Sequence, residues 1–319
     1  MTQLEIPEYQ SPFFLRNGHL DTIIPHFLRR VPPVEYRRER IDTPDGDFLD
    51  LDWDRGPSTS KRLVLFSHGL EGSSRAKYIQ GMIPHFRNQG FDALAWNCRS
   101  CSGEINRTAR FYHSGASYDL DTVVEHVLKT TNYDSIHMIG FSMGGNITLK
   151  YLGEKSTTVN ARLKSAVVFS VPVDLKSSTE RLTGIMGRFY TRKFIRTLNR
   201  KLALKEPQLR EMGIDIRGAH KIWDFKTWDG RFTAPIHGFK DAEDYYAKSS
   251  SRPLLKHIRI PTLIVNAKND PFLGDDCFPR AELKNHSFVR LETPELGGHV
   301  GFTSKGLFWS ESLALSAFR

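Results

Sequence analysis

The sequence predicts an α/β fold: a mostly parallel central sheet flanked by helices, with a helical cap inserted between two of its strands. Three observations carry this. From residue 60 onward, short apolar runs alternate with helix-forming stretches, the pattern of parallel strands joined by crossover helices. One such run, Ile136-His137-Met138-Ile139, leads through Gly140-Phe141-Ser142-Met143-Gly144 directly into a helix-forming stretch, Asn146 to Leu152. The alternation then stops between about Asp174 and about Phe232. There Leu182, Ile185, Met186, Phe189, Tyr190, Phe194, Ile195 and Leu198 recur at helical spacing with basic residues between them. A chain of 319 residues is long enough to bury a sizeable core, and one large domain with an insertion accounts for it.

Residues 1–35 read as an arm, partly helical, anchored by Pro12-Phe13-Phe14-Leu15 and His19-Leu20-Asp21-Thr22-Ile23-Ile24. Glu35 to Ile41 and Phe48 to Trp53 form a hairpin around the turn Pro44-Asp45-Gly46. Leu63 to Ser67 is the third strand, Ala76 to Asn88 a helix ended by Gly90, and Phe91 to Asn97 a strand. A helix over Leu120 to Thr130, with Asp119 or Asp121 near its start, precedes the strand Ile136 to Phe141. Ser165 to Ser170 is the next strand. Thr262 to Ala267 and Ser287 to Glu292 follow the helical gap, and the last helix is expected over Gly306 to Ala317. The expected organisation is thus a single domain over 1–319, with an N-terminal arm over about 1–35 and a helical cap over about 174–235. Ser142 and Asp270 are separated by 127 residues, far more than one strand-helix unit needs, and a cap would roof the pocket and supply its apolar wall. There is no internal repeat and no low-complexity tract.

The chemistry centres on Ser142. A strand that turns sharply into a helix leaves a serine on a strained elbow with its hydroxyl clear of the sheet edge. Gly140, Gly144 and Gly145 let backbones pass close on either side. A serine alkoxide is too basic to exist at neutral pH, so Ser142 needs a base within hydrogen-bond reach, and the base needs an orienting acid. Elbows of this kind take them in the chain order serine, acid, histidine. Asp270 follows the strand ending at Ala267, and His299 lies on the glycine-lined loop Gly297-Gly298-His299-Val300-Gly301 after the next strand. Each residue has a bland reading alone, a turn aspartate before proline or a polar loop histidine. Their order and their positions after strands point to a catalytic triad. Upstream, the strand Leu63–Ser67 runs into His68-Gly69-Leu70-Glu71-Gly72, where a backbone N–H would face the elbow. The amides of Leu70 and Met143 are the expected oxyanion-hole donors. Glu71 reads as a solvent-facing or loop-packing residue rather than a second acid, with a role at the pocket mouth as the alternative.

Net charge is +9, concentrated between Lys176 and Arg210, and no nucleic-acid motif accompanies it. The basic amphipathic cap segment has two readings: a solvated outer face over an inward apolar stripe, or a surface that touches anionic membrane. No run of 18 apolar residues is present. The first residues hold neither a basic flank nor an apolar leader core, so no signal peptide is expected. Three cysteines suggest a reducing, cytoplasmic setting. Cys98 and Cys101 form a C-x-x-C with no second pair, and Cys277 is alone; they read as ordinary loop cysteines rather than a redox or zinc site.

The chain resembles the α/β-hydrolase superfamily, and within it the YheT-like branch of esterases and abhydrolase lipases. The matching phrases run nearly the whole length. They include Asn17-Gly18-His19-Leu20-Asp21-Thr22, Ser67-His68-Gly69-Leu70-Glu71-Gly72-Ser73, Asn97-Cys98-Arg99-Ser100-Cys101-Ser102-Gly103-Glu104 and Tyr112-His113-Ser114-Gly115. Gly140 to Asn146, Asn266 to Phe272 and Gly297 to Phe302 match as well, whereas the segment over about 175–235 matches loosely. The resemblance implies carboxylic ester hydrolysis, with acylglycerols or phospholipids as substrates in some members, and carries Ser142, Asp270 and His299 over as nucleophile, acid and base. Eukaryotic relatives often have an N-terminal membrane anchor; the first residues here hold no such segment, and membrane residence is not expected from the resemblance. Arg99, Asn106, Tyr112 and His113 are expected to form a supporting polar network below the site. The chemistry requires no metal or organic cofactor. Acyl transfer to an alcohol, thioester hydrolysis and a non-catalytic binding module are the rival readings.

Overall fold

A computed structural model describes residues 6–56, 60–304 and 308–318. Its sheet has eight strands: β1 (Arg37–Asp42), β2 (Phe48–Asp54), β3 (Arg62–Ser67), β4 (Asp92–Asn97), β5 (Ser135–Phe141), β6 (Leu163–Phe169), β7 (Thr262–Val265) and β8 (Val289–Glu292). The order is β1-β2-β4-β3-β5-β6-β7-β8. The hairpin β1–β2 is antiparallel, β2 pairs antiparallel with β4, and every other pairing is parallel.

The apolar runs of the central strands are continuous because both faces of the sheet are covered. Side chains alternate between two layers. Leu63 and Leu65 of β3 and Ile136 and Met138 of β5 face one layer, which includes α3 (Ser117–Thr130) and α4 (Met143–Lys155). Val64, Phe66, Ile139 and Phe141 face the other, built on α2 (Lys77–Asn88) and α12 (Trp309–Ala317). The last helix was expected from Gly306; residues 305–307 lie outside the described residues, and the helix is seen from Trp309.

Element ends differ from the sequence reading by a few residues, for identifiable reasons. Helix α3 opens at Ser117 rather than Leu120, because Ser117 and Asp119 in its first turn have partners elsewhere: Ser117 Oγ donates to Glu154 at 2.6 Å and Asp119 accepts from Arg99. Strand β7 stops at Val265 because the Asn266 side chain turns aside. Its Oδ1 accepts from Val171 N at 2.7 Å, and its Nδ2 donates to the carbonyls of Val171 and Cys277.

The arm holds a short 3-10 turn (Phe13–Leu15) and α1 (Gly18–Leu28), N-capped by Asn17. Between β6 and β7 the chain forms α5 (Leu175–Arg181), α6 (Ile185–Leu204), α7 (Glu206–Glu211), α8 (Phe225–Trp228), a π-helical turn (Asp229–Thr233), α9 (Ala234–His237) and α10 (Ala242–Ser249). This segment has its own apolar cluster, with Ile195, Leu202, Leu209, Trp228 and Phe232 at its centre. The long apolar stripe of α6 does not all face inward, as the simpler sequence reading had it. Tyr190 and Ile195 are buried, but Ile185, Met186 and Phe189 are exposed. A short helix, α11 (Arg280–Leu283), precedes β8.

Candidate active site

Ser142 stands between the end of β5 and the first residue of α4. Its backbone has φ 51° and ψ −121°, a sparsely populated conformation for a residue with a Cβ. Such a conformation persists only where the surroundings hold it, at a cost of about 1–3 kcal/mol. Here Ser142 N donates to Phe169 O at 2.8 Å, and Ser142 O accepts from Asn146 N at 3.1 Å. The glycines on either side are required by space. A Cβ on Gly140 would lie 2.6 Å from Gly145 Cα, and one on Gly144 would lie 2.3 Å from Ser67 O.

Asp270 and His299 arrive on the loops after β7 and β8. Asp270 is buried, and its carboxylate oxygens lie 2.9 and 3.1 Å from His299 Nδ1. His299 Nε2 lies 2.9 Å from Ser142 Oγ. The structure therefore brings the three residues into one hydrogen-bonded chain. The Asp270 contact favours the tautomer with the proton on Nδ1, leaving Nε2 to accept from the serine hydroxyl. Phe272 supports the ring, stacking on it with centroids 4.1 Å apart, and Phe272 N donates to Asp270 Oδ1 at 2.9 Å.

The histidine loop is held from the arm, a role the sequence reading did not assign. His299 N donates to Thr22 Oγ1 at 2.8 Å, and that hydroxyl donates in turn to Gly18 O at 2.6 Å. Gly298 N donates to Asn269 Oδ1 at 3.0 Å, and Val300 N donates to Ser170 Oγ at 2.8 Å. Gly18 has no room for a side chain, since a Cβ there would lie 1.9 Å from Asn269 O. The segment Asn17 to Thr22, one of those that carry the family resemblance, makes the contact that seats the loop.

The turn after β3 faces the elbow: a Cβ on Gly69 would lie 3.3 Å from Ser142 Cβ. Its amides are nearly all engaged. Gly69 N donates to Tyr78 OH, Glu71 N to Tyr112 OH and Gly72 N to Gly69 O. Among the described residues, the Leu70 amide has no acceptor in the protein. Met143 N–H is the first of α4, one of the orphan donors of a helix N-terminus. His68 locks the base of the turn. Cys98 N donates to its Nε2 at 3.0 Å, and its Nδ1 lies 2.7 Å from Gly69 O. Burial pushes the His68 imidazole down to about 4, so it is neutral and both nitrogens are satisfied.

Glu71 is a packing residue with specific partners. It has φ 53°, accepts from Tyr112 OH at 2.6 Å and pairs with Lys201 of α6 at 2.6 Å. Lys201 Nζ also lies 3.4 Å from Cys101 Sγ. Burial pushes the Cys101 thiol up to about 11 and holds Cys98 well above the ordinary thiol value, so neither is a ready thiolate. Among the described residues no group of three or more His, Cys, Asp or Glu is placed to hold a metal ion.

The polar residues of 97–115 divide into separate groups. Arg99 pairs with Asp119 and Asp45 at 2.7 Å each, and Asn106 donates to Asp47. Tyr112 joins the Glu71 and Lys201 group, while His113 packs against His237 of α9 with ring centroids 4.5 Å apart.

A family model described as alpha/beta hydrolase fold matches residues 62–305. The chain is 34% identical to YheT of Escherichia coli (strain K12), named a candidate esterase, over 93% of this chain and 88% of that one. It is 30% identical to phospholipase ABHD3 of Homo sapiens, over 92% of this chain and 73% of that one. Among solved structures, an esterase of Pyrococcus furiosus superposes with a TM-score of 0.57 at 17% identity, covering 91% of this chain and 99% of that one.

Proposed function

Because this chain belongs to the α/β-hydrolase family, in its YheT-like branch, we propose that it is a serine hydrolase that cleaves carboxylic esters, lipid esters among them. The observation that carries the reading is the chain from Asp270 through His299 to a hydroxyl held on a strained elbow. Lipid esters are favoured by the likeness to a phospholipase and by the apolar wall of Tyr190 and Phe272 beside the histidine.

Ser142 Oγ attacks the ester carbonyl carbon while His299 Nε2 takes its proton. The carbonyl oxygen becomes an oxyanion, and the Leu70 and Met143 amides stabilise it. Asp270 holds the imidazole tautomer and supports the positive charge. The tetrahedral intermediate collapses, the alcohol leaves with the proton from His299, and an acyl-enzyme remains. Water then attacks with His299 as base, which releases the acid and restores Ser142. The segment over about 174–235 serves as the cap, and the arm over about 1–35 braces the histidine loop within the single domain.

The test is hydrolysis of p-nitrophenyl esters from acetate to palmitate, with Ser142→Ala beside the wild type. The expected loss in kcat is on the order of 10³-fold or more. Labelling by a fluorophosphonate is expected in the wild type and absent in the variant. Full activity of Ser142→Ala would refute the assignment.

A further inference from the structure

We infer that α1, the 3-10 turn before it and the first turns of α6 together form a docking surface for an anionic lipid bilayer. As a route for substrate, this rests on the ester-hydrolase reading above; as a binding surface, it stands on its own observations.

The first observation is apolar exposure. Ile185 is 89% exposed, Phe13 83% and Leu28 72%, and Phe14, Phe27 and Phe189 are exposed beside them in the sequence. All six lie on the arm or on the first turns of α6. The two helices are in direct contact: His19 Nδ1 lies 3.1 Å from Tyr190 OH, and Lys193 Nζ donates to His26 Nε2 at 3.1 Å. Lys193 also lies over the Phe27 ring at 5.4 Å.

The second observation is charge. Helix α6 contains no acidic residue, and Arg188, Arg192, Lys193 and Arg196 are exposed on it. Arg16 and Arg30, both exposed, flank α1 in the chain. The single acid of α1, Asp21, is buried, and desolvation raises its pKa. Apolar side chains among unopposed bases match the interface of an anionic bilayer, where apolar groups enter the acyl boundary and cations meet the headgroups. A second copy of this chain fits less well, because a symmetric contact would set the same arginines against each other.

The third observation is position. Tyr190, at the seam between α1 and α6, packs on Phe272 with centroids 4.7 Å apart, and Phe272 stacks on His299. The surface thus borders the candidate site, and a docked molecule would present that site to lipid.

The full-length protein is to be sedimented with vesicles of phosphatidylglycerol and phosphatidylcholine, and with pure phosphatidylcholine. The two surface variants are Phe27→Ser with Phe189→Ser, and Arg188→Glu with Arg192→Glu. Hydrolysis of a soluble short-chain ester is measured in parallel. Expected is partition onto anionic vesicles that falls with salt, at least tenfold weaker in each variant, with short-chain hydrolysis retained. Equal partition of variants and wild type, or no preference for anionic vesicles, would overturn the docking surface. A wild-type dimer that either variant dissociates would assign the face to a second copy and overturn it equally. Vesicle binding without ester hydrolysis would leave docking intact and remove the hydrolase reading; hydrolysis without vesicle binding would do the reverse.

Discussion

Lys201 reaches from α6 to the turn after β3, where it meets a residue one position from a candidate oxyanion donor. Its Nζ pairs with Glu71 Oε1 at 2.6 Å in a largely buried setting, and Glu71 holds φ 53° while Tyr112 OH donates to the same oxygen at 2.6 Å. An ion pair shielded from water loses heavily when only one partner is removed, because the other charge is stranded. The backbone it steadies carries the Leu70 amide, so its loss mis-aims a donor rather than deleting it. A lost oxyanion donor typically costs about 10²–10³ in kcat, and a mis-aimed one less. Lys201→Met is therefore expected to lower kcat by roughly tenfold with little change in KM. Lys201→Arg, which restores the charge, is expected to recover most of it. Steady-state kinetics on one soluble ester decides the matter; a rise in KM alone, or no rescue by arginine, would reduce the pair to packing between α6 and the sheet.

The π-helical turn between α8 and α9 places Asp229 in the interior, where Thr233 Oγ1 donates to it at 2.6 Å and Tyr246 OH at 2.9 Å. Burial pushes this carboxyl up to about 7 against an ordinary value of 3.8. The folded state thus holds a proton that the unfolded chain releases earlier. The resulting stabilisation is complete below the unfolded value and is lost as pH rises through about 7. Asp229→Asn, which cannot ionise, is expected to melt a few degrees above the wild type at pH 8, with the gap narrowing toward pH 4. Thermal melts across that range check it, and a gap independent of pH would refute it. No sequence pattern announced this turn, since an aspartate in a polar stretch looks solvated until tertiary packing encloses it. The strands were legible because apolar runs of five or six residues bounded by turn residues have few alternatives. Helix α6 was legible as a helix, but its orientation was not. A 3.6-residue period is the same whether an apolar face meets protein or is left bare, and Ile185 and Phe189 are bare.

Across the whole molecule, the candidate site is drawn from distant parts of the chain, and this separates what the sequence discloses from what it withholds. Ser142, Asp270 and His299 could be nominated because each follows a strand, in an order that parallel topology brings to one sheet edge. Lys201 and Thr22 could not, because their partners lie 130 and 277 residues away and no local pattern records such a contact. Among the described residues, the arm is bound to the domain at points from Pro7 to Arg29. Trp309 Nε1 donates to Pro7 O at 2.7 Å, Tyr9 OH donates to Asp21 at 3.0 Å, and Arg29 pairs with Glu311. These ties hold α1 in place without help from Thr22, whose hydroxyl is then free to serve the His299 amide. Removing that hydroxyl should therefore disturb the histidine loop while sparing the fold. Thr22→Val keeps the shape of the side chain and leaves the half-buried His299 N–H without its acceptor. Expected are an unchanged far-ultraviolet circular dichroism spectrum and a kcat lowered roughly tenfold, because displacement of a base by a fraction of an ångström weakens proton transfer steeply. Thr22→Ser retains the acceptor and is expected to behave as the wild type. Equal activity of the valine and serine variants would show that Ser170, through Val300, is sufficient to seat the loop, and that α1 contributes surface rather than support to the site.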